Sequence, residues 1–323
     1  MSIWTEVVTI GSLRIRASSE TFIVVTCPLR WIQMEAPGPK EIEWLDEEYP
    51  FHELDLEDVR SRRQRPKVDD YPDYLFVVLH FPWYDRSNNR LVTAELNAFI
   101  GRDYLITIPN VPIKPLDNLY ARLEHDDEAR VEFFAKGSGY LFYEALDTLY
   151  KYCFPILDQI GRKLADIDDA IWEEDRSEQV VRMISSVKQE IISYRLIVKP
   201  QRPVLRLLER DTARFLPEDL EVYYDDLIDQ AERIWDVLEG YKEALEGLES
   251  TNESAINHRQ NQILRVLTVL TVGFMPMTFI TGLFGMNVPV PWSHDISAFW
   301  AIFTTLCVSL GAMLGIARWM RWL

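Results

Sequence analysis

The chain has 323 residues, of which 48% are hydrophobic, and its 51 acidic against 34 basic side chains leave a formal charge of −17. That balance excludes a nucleic-acid partner, because phosphate recognition needs a basic face. An acidic body instead concentrates cations near its surface. Cys27, Cys153 and Cys307 have no metal-ligand spacing, and their odd number argues against a disulfide framework, which fits a reducing compartment. The opening MSIWTEVVTI has neither a basic segment nor a long apolar one, so no signal peptide is expected.

Up to about residue 110 the pattern reads mostly as strands. Thr21–Thr26 and Tyr74–Phe81 are rich in β-branched and aromatic residues, and Glu95–Ile100, Gly101-Arg102-Asp103 and Tyr104–Ile108 form a hairpin pattern. Asn110–Pro115, with two prolines, closes this region. From Gly139 onward the spacing turns helical: Leu141, Ala145, Leu149 and Tyr152, then Ile156, Ile160, Leu164 and Ile167. Val180–Pro200 is a further amphipathic stretch, ended by Pro200 and Pro203. A last helix begins near Pro217 and meets no breaker before Pro276. Such length predicts a stalk continuous with an apolar segment beyond it.

Two uncharged runs follow, 19 residues from Val266 to Phe284 and 22 from Ile296 to Ala317. Each is long enough to cross about 30 Å of hydrocarbon at 1.5 Å per residue. Arg259 and Arg265 precede the first run and Arg318 and Arg321 follow the second, while 285–295 has no Lys or Arg. The positive-inside rule therefore expects an inner (cytoplasmic) membrane protein with both termini in the cytoplasm. Trp292 and Trp300 suit the outer interfacial belt, Trp319 and Trp322 the inner one. The fold class expected is α+β: an αβα cytoplasmic domain over 1–216, a stalk helix over 217–265, and a membrane domain over 266–323 holding two C-terminal transmembrane helices. Two helices cannot enclose a pore alone, so a channel built from them must be an oligomer. His52, His80, His125, His258 and His294 show no metalloprotease-like spacing, and no nucleophile elbow or phosphate loop is present, so neither an enzyme nor a cofactor is expected.

Immediately after the first apolar run stands Gly285-Met286-Asn287. A GMN tripeptide closing the penultimate apolar helix, with a second span before a short basic C-terminus, resembles the CorA family of divalent-cation channels. His52–Tyr74, with Leu56-Glu57-Asp58 and Arg65-Pro66-Lys67, is similar to that family's LED…QRPK segment, and Leu267–Asn287, with Met275-Pro276 and Thr278, to its first span. The resemblance runs from about residue 45 to the C-terminus. It implies a homopentamer in membrane lipid, with a funnel of long helices, a pore lined by the first span, and Gly285, Met286 and Asn287 as the external selectivity filter. It also implies a regulatory divalent-cation site between subunits, using Asp58 of one and Asp226 of the next, with Glu57 and Asp229 nearby.

Mg²⁺ keeps its waters tightly, so a filter for it needs neutral acceptors, and a ring of Asn287 amides would supply them. On the first span Asn261, Leu264, Thr268, Thr271, Met275, Thr278 and Gly282 recur at helical spacing as a face of small, polar and flexible side chains. Such a face could line a pore or pack against another helix; Leu264, Leu267 and Met275 could form hydrophobic constrictions. The sequence departs from the magnesium members in its loop: Val288 to Asp295 is short, with one acid, nearer to the zinc-transporting ZntB branch. His294 could serve Zn²⁺ there. Three readings follow: a channel for Mg²⁺ with Co²⁺ or Ni²⁺ leakage, a Zn²⁺ transporter, and a membrane-anchored sensor of the same fold without transport.

Overall fold

A computed structural model describes residues 7–10, 13–19, 29–61, 64–85, 90–173, 177–212, 215, 221–286 and 296–319. Its strands are β1 (Val7–Ile10), β2 (Leu13–Ser19), β3 (Arg30–Gln33), β4 (Lys67–Asp70), β5 (Tyr74–Asp85), β6 (Arg90–Gly101) and β7 (Tyr104–Pro109). They form one sheet in the order β1-β2-β3-β7-β6-β5-β4. Only β3 and β7 pair in parallel; every other neighbour is antiparallel. The expected hairpin is present as β6–β7, with Ile100 opposite Leu105. Gly101 is required there, since a Cβ would overlap the Tyr104 ring. The strand expected at Thr21–Thr26 lies outside the described residues.

The sheet is covered on both faces, so β5 reads as a nearly continuous apolar run. Tyr74, Phe76 and Val78 point to one side, where they meet Ile42, Leu45, Leu56 and Val59. Those four come from α1 (Pro39–Glu48) and α2 (Glu53–Ser61). These two helices interrupt a region that is otherwise mostly strands before residue 110, as expected. They are short, so their apolar residues make too few periods to stand out, and local capping starts the first. Pro39 occupies its first turn, and Glu41 Oε2 accepts a hydrogen bond from the Gly38 N–H at 3.0 Å. On the opposite side Trp31 meets Tyr120 with ring centroids 5.0 Å apart, and Phe81 meets Tyr150 at 5.5 Å. The αβα layering is as expected.

Helices then follow in succession: α3 (Lys114–His125), α4 (Asp127–Ala135), α5 (Gly137–Ile171), α6 (Ser177–Val198), α7 (Gln201–Thr212), α8 (Glu221–Phe284) and α9 (Ile296–Trp319). The helical region thus starts at Lys114 rather than Gly139. Pro115 opens α3 instead of closing the strands, because a proline in the first turn loses no helical hydrogen bond. Pro203 likewise lies in the first turn of α7, so it ends nothing.

The chain divides into two compact units. One comprises Met1–Ala170 with Glu178–Gly247, the other Ile171–Ser177 with Leu248–Leu323. Within the first, α8 buries Tyr224, Leu227, Ala231, Ile234, Leu238 and Leu245, a stripe at helical spacing. Tyr224 also donates from its hydroxyl to the Gly139 carbonyl at 2.8 Å. Each fully buried leucine or isoleucine contributes about 1.5–3 kcal/mol, which fastens this half of the helix to its unit.

Candidate cation site and conduction face

Asp58 sits on α2 and its Oδ2 accepts from Lys67 Nζ at 2.6 Å. Lys67, the first residue of β4, also bonds Asp69, two positions on along the same strand face. Asp55, one helical turn before Asp58, completes a group whose carboxylate oxygens lie within 4.8 Å of one another. Asp55 is buried and its oxygens accept from Tyr74 at 2.8 Å and Tyr71 at 3.2 Å. Burial raises the Asp55 carboxyl above the ordinary carboxylate range, against the opposing pull of the Tyr74 hydrogen bond. Burial also disfavours the Lys67 ammonium, but the hydrogen bonds it donates to Asp58 and Asp69 outweigh it and hold the charge more firmly than usual. Lys67 therefore occupies the place a cation would take in this group. Lys67 engages one oxygen each of Asp58 and Asp69, both partly exposed, and leaves their second oxygens outside these ion pairs.

Asp55, Lys67 and Asp69 were all within the segment singled out from the sequence, yet none was identified as a partner of Asp58. The signal available was the i, i+3 spacing of Asp55 and Asp58 on a helix, which needed α2 to be recognised first. Glu57 is exposed and does not join the group. Asp226 and Asp229 are exposed on α8. Asp226 accepts from Gln230 Nε2 at 2.7 Å, and the same amide reaches Asp147 at 2.9 Å. Among the described residues no grouping joins Asp226 or Asp229 to Asp58.

The second half of α8 is long and apolar enough to cross a membrane, and Phe299–Met313 of α9 is a shorter apolar stretch. At about 100° per residue, Asn261, Leu267, Thr268, Thr271, Met275, Thr278 and Gly282 all fall within about 60° of Leu264. All eight are exposed. Val269, Gly273, Met277 and Ile280 project from the opposite side, and these are the covered positions. Gly273 explains the cover, since a Cβ there would overlap Met313 of α9. The face read from the sequence therefore lies within the surface that α9 leaves open. Thr268, Thr271 and Thr278 donate to the carbonyls of Leu264, Leu267 and Phe274 at 2.7, 2.8 and 2.9 Å. With its proton so used, each hydroxyl oxygen presents only acceptor lone pairs outward, the polarity suited to a cation's water shell.

α8 ends at Phe284, and the Gly285 N–H still bonds the Thr281 carbonyl at 2.9 Å. Met286 is exposed. Asn287 and the loop from 288 to 295, with His294 and Asp295, lie outside the described residues.

These features define an acidic αβα body whose last long helix continues into an unburied apolar segment with a polar stripe. A family model described as CorA-like Mg²⁺ transporter protein matches residues 28–321, and the chain belongs to that family. It is 27% identical over 246 residues to the cobalt/magnesium transport protein CorA of Thermotoga maritima, covering 76% of this chain and 69% of that one. It is also 21% identical over 294 residues to the zinc transport protein ZntB of Yersinia pseudotuberculosis, covering 90% and 86%. The fold matches the complete structure of the CorA magnesium transporter from Methanocaldococcus jannaschii with a TM-score of 0.79, at 21% identity, over 98% of this chain and 100% of that one.

Proposed function

We propose that the chain is the subunit of a homopentameric divalent-cation channel, with α8 lining the pore and α9 facing lipid. The observation that carries this reading is the open face of α8. Its threonines present acceptors while the opposite side packs on α9 at Gly273. Asn287 would close each pore stripe with a neutral amide, so that five amides hydrogen-bond a hydrated ion without stripping it. Leu264, Leu267 and Met275, all exposed on this face, would narrow the path with apolar rings that open and close by wetting. Both termini would lie in the cytoplasm. Gating would come from a cytoplasmic cation held between Asp58 and a neighbour's Asp226, with Glu57 and Asp229 adding charge. Bound cation neutralises facing carboxylates and stabilises the closed assembly by mass action.

Mg²⁺, with Co²⁺ and Ni²⁺ following, is the ion this filter chemistry favours. Zn²⁺ is the second reading, supported by His294 in a short loop with one acid and by the likeness to ZntB. One histidine per subunit makes a poor zinc cage, which places Zn²⁺ second. Purified protein in liposomes, loaded with dyes for Mg²⁺, Co²⁺ and Zn²⁺ in parallel, tests both. Absence of flux for every ion from a pentameric preparation would refute the channel; faster Zn²⁺ than Mg²⁺ entry would reverse the order.

A further inference from the structure

In the second unit, the Arg259 guanidinium of α8 donates to the carbonyls of Ile171 at 3.0 Å and Glu173 at 3.1 Å. The Ile171 carbonyl is the last of α5 and has no partner within its own helix, while that of Glu173 lies two residues beyond the helix end, and a cation there also meets the negative end of the helix dipole. The grip fixes the height of the α5 terminus along α8. Arg259 stands seven residues before Val266, where the uncharged run begins, a rise of about 10 Å. The headgroup layer extends about 5–8 Å beyond the hydrocarbon edge. Trp172, between the two gripped carbonyls, is thus held just under that layer. Its neighbour Ile171 is buried at 2%, whereas Trp172 is 69% exposed. An indole combines a large apolar body with one N–H donor, the combination that gathers at membrane interfaces.

We propose that Trp172 anchors the α5 terminus in the headgroup layer of the inner leaflet, so that this turn is a lipid-contacting element of the cytoplasmic body. The occupant is a zwitterionic lipid surface. Glu173 follows directly, with Glu174 and Asp175 next in sequence, and these carboxylates would be repelled by anionic headgroups. The anchor rests on the membrane reading of α8, and the test separates the two.

Cys27 and Cys307 are replaced by serine and Trp172→Cys is labelled with an environment-sensitive fluorophore. Cys153 stays, because burial pushes its thiol up to about 12 and leaves it unreactive. A second preparation has the label at Val272→Cys, an exposed position well inside the apolar run. Both are reconstituted in phosphatidylcholine vesicles containing lipids with a quenching nitroxide either near the headgroup or at mid-chain. The expected result is loss of emission at position 172 with the headgroup-proximal quencher only, and loss at 272 with the mid-chain quencher. Quenching at 272 with none at 172 overturns the anchor alone. Emission at 172 that is blue-shifted but indifferent to both lipids also overturns it, showing that protein, such as a neighbouring copy, covers this position. No quenching at either position refutes the membrane reading itself.

Discussion

Lys67 bonds Asp58 and Asp69 and lowers the charge repulsion on nearby Asp55, and Lys67→Met removes the charge while keeping most of the stem's length. Asp55, Asp58 and Asp69 then face one another within 4.8 Å with no cation between them. At that separation and an effective dielectric constant of about 20, each pair of charges repels by about 3 kcal/mol. Partial exposure of Asp58 and Asp69, at 19% and 34%, screens this, and proton uptake by Asp55 limits it further. A net loss of about 2–3 kcal/mol at neutral pH is expected, lowering Tm by about 3–4 °C for a chain of this length. Asp55 already titrates above its ordinary range because of burial, and losing Lys67 moves it further up. The folded state then holds a proton that the unfolded state has released, so the variant is least impaired in acid. The deficit grows as pH rises through the folded-state pKa of Asp55. Mg²⁺ should raise Tm more in the variant than in the parent, since a divalent ion can take the vacated place. The assay is thermal unfolding of the full chain in detergent, at about pH 5 and about pH 7.5, with and without Mg²⁺. Equal stability of variant and parent at both pH values would refute the view that Lys67 neutralises this cluster.

Asn287→Ala should abolish most cation flux in liposomes while the oligomer stays intact by size-exclusion chromatography; parental flux would remove Asn287 from the filter. Asp58→Ala with Asp226→Ala should weaken the protection that Mg²⁺ gives the cytoplasmic domain against protease, and unchanged protection would make both carboxylates solvated surface groups. Gly273→Leu should cost about 1–3 kcal/mol by overpacking against Met313 and reduce the assembled fraction in detergent. Gly273→Ala should be milder, because the flexible methionine can yield. His294→Ala should leave Mg²⁺ and Zn²⁺ flux changed in equal and small proportion, and a selective fall in Zn²⁺ flux would assign the loop a zinc-ligating role.

The sequence by itself determined the features whose signal is local and repeated. The hairpin was legible because Gly101-Arg102-Asp103 separates two apolar runs of strand-forming residues, and the long helix because its period continues without a breaker until Pro276. The end of the first apolar segment at Phe284 agrees with the end of α8, since Gly285 and the polar Asn287 interrupt the apolar pattern there. The stripe from Asn261 to Gly282 was legible as a face, but not as a free one. Only the packing of Met313 against Gly273 decided which side of α8 is covered. The parallel pairing of β3 with β7, in which Trp31 Nε1 donates to Thr107 Oγ1 at 3.0 Å across 76 positions, has no local signature. The same holds for Lys67. Its neighbours in sequence mark a family segment, yet its role comes from β4 being laid beside α2, so that one ammonium reaches Asp58 and Asp69 together. Periodicity reports which residues share a face, and tertiary packing determines what that face meets, because the contact energies that decide it come from residues far apart in the chain.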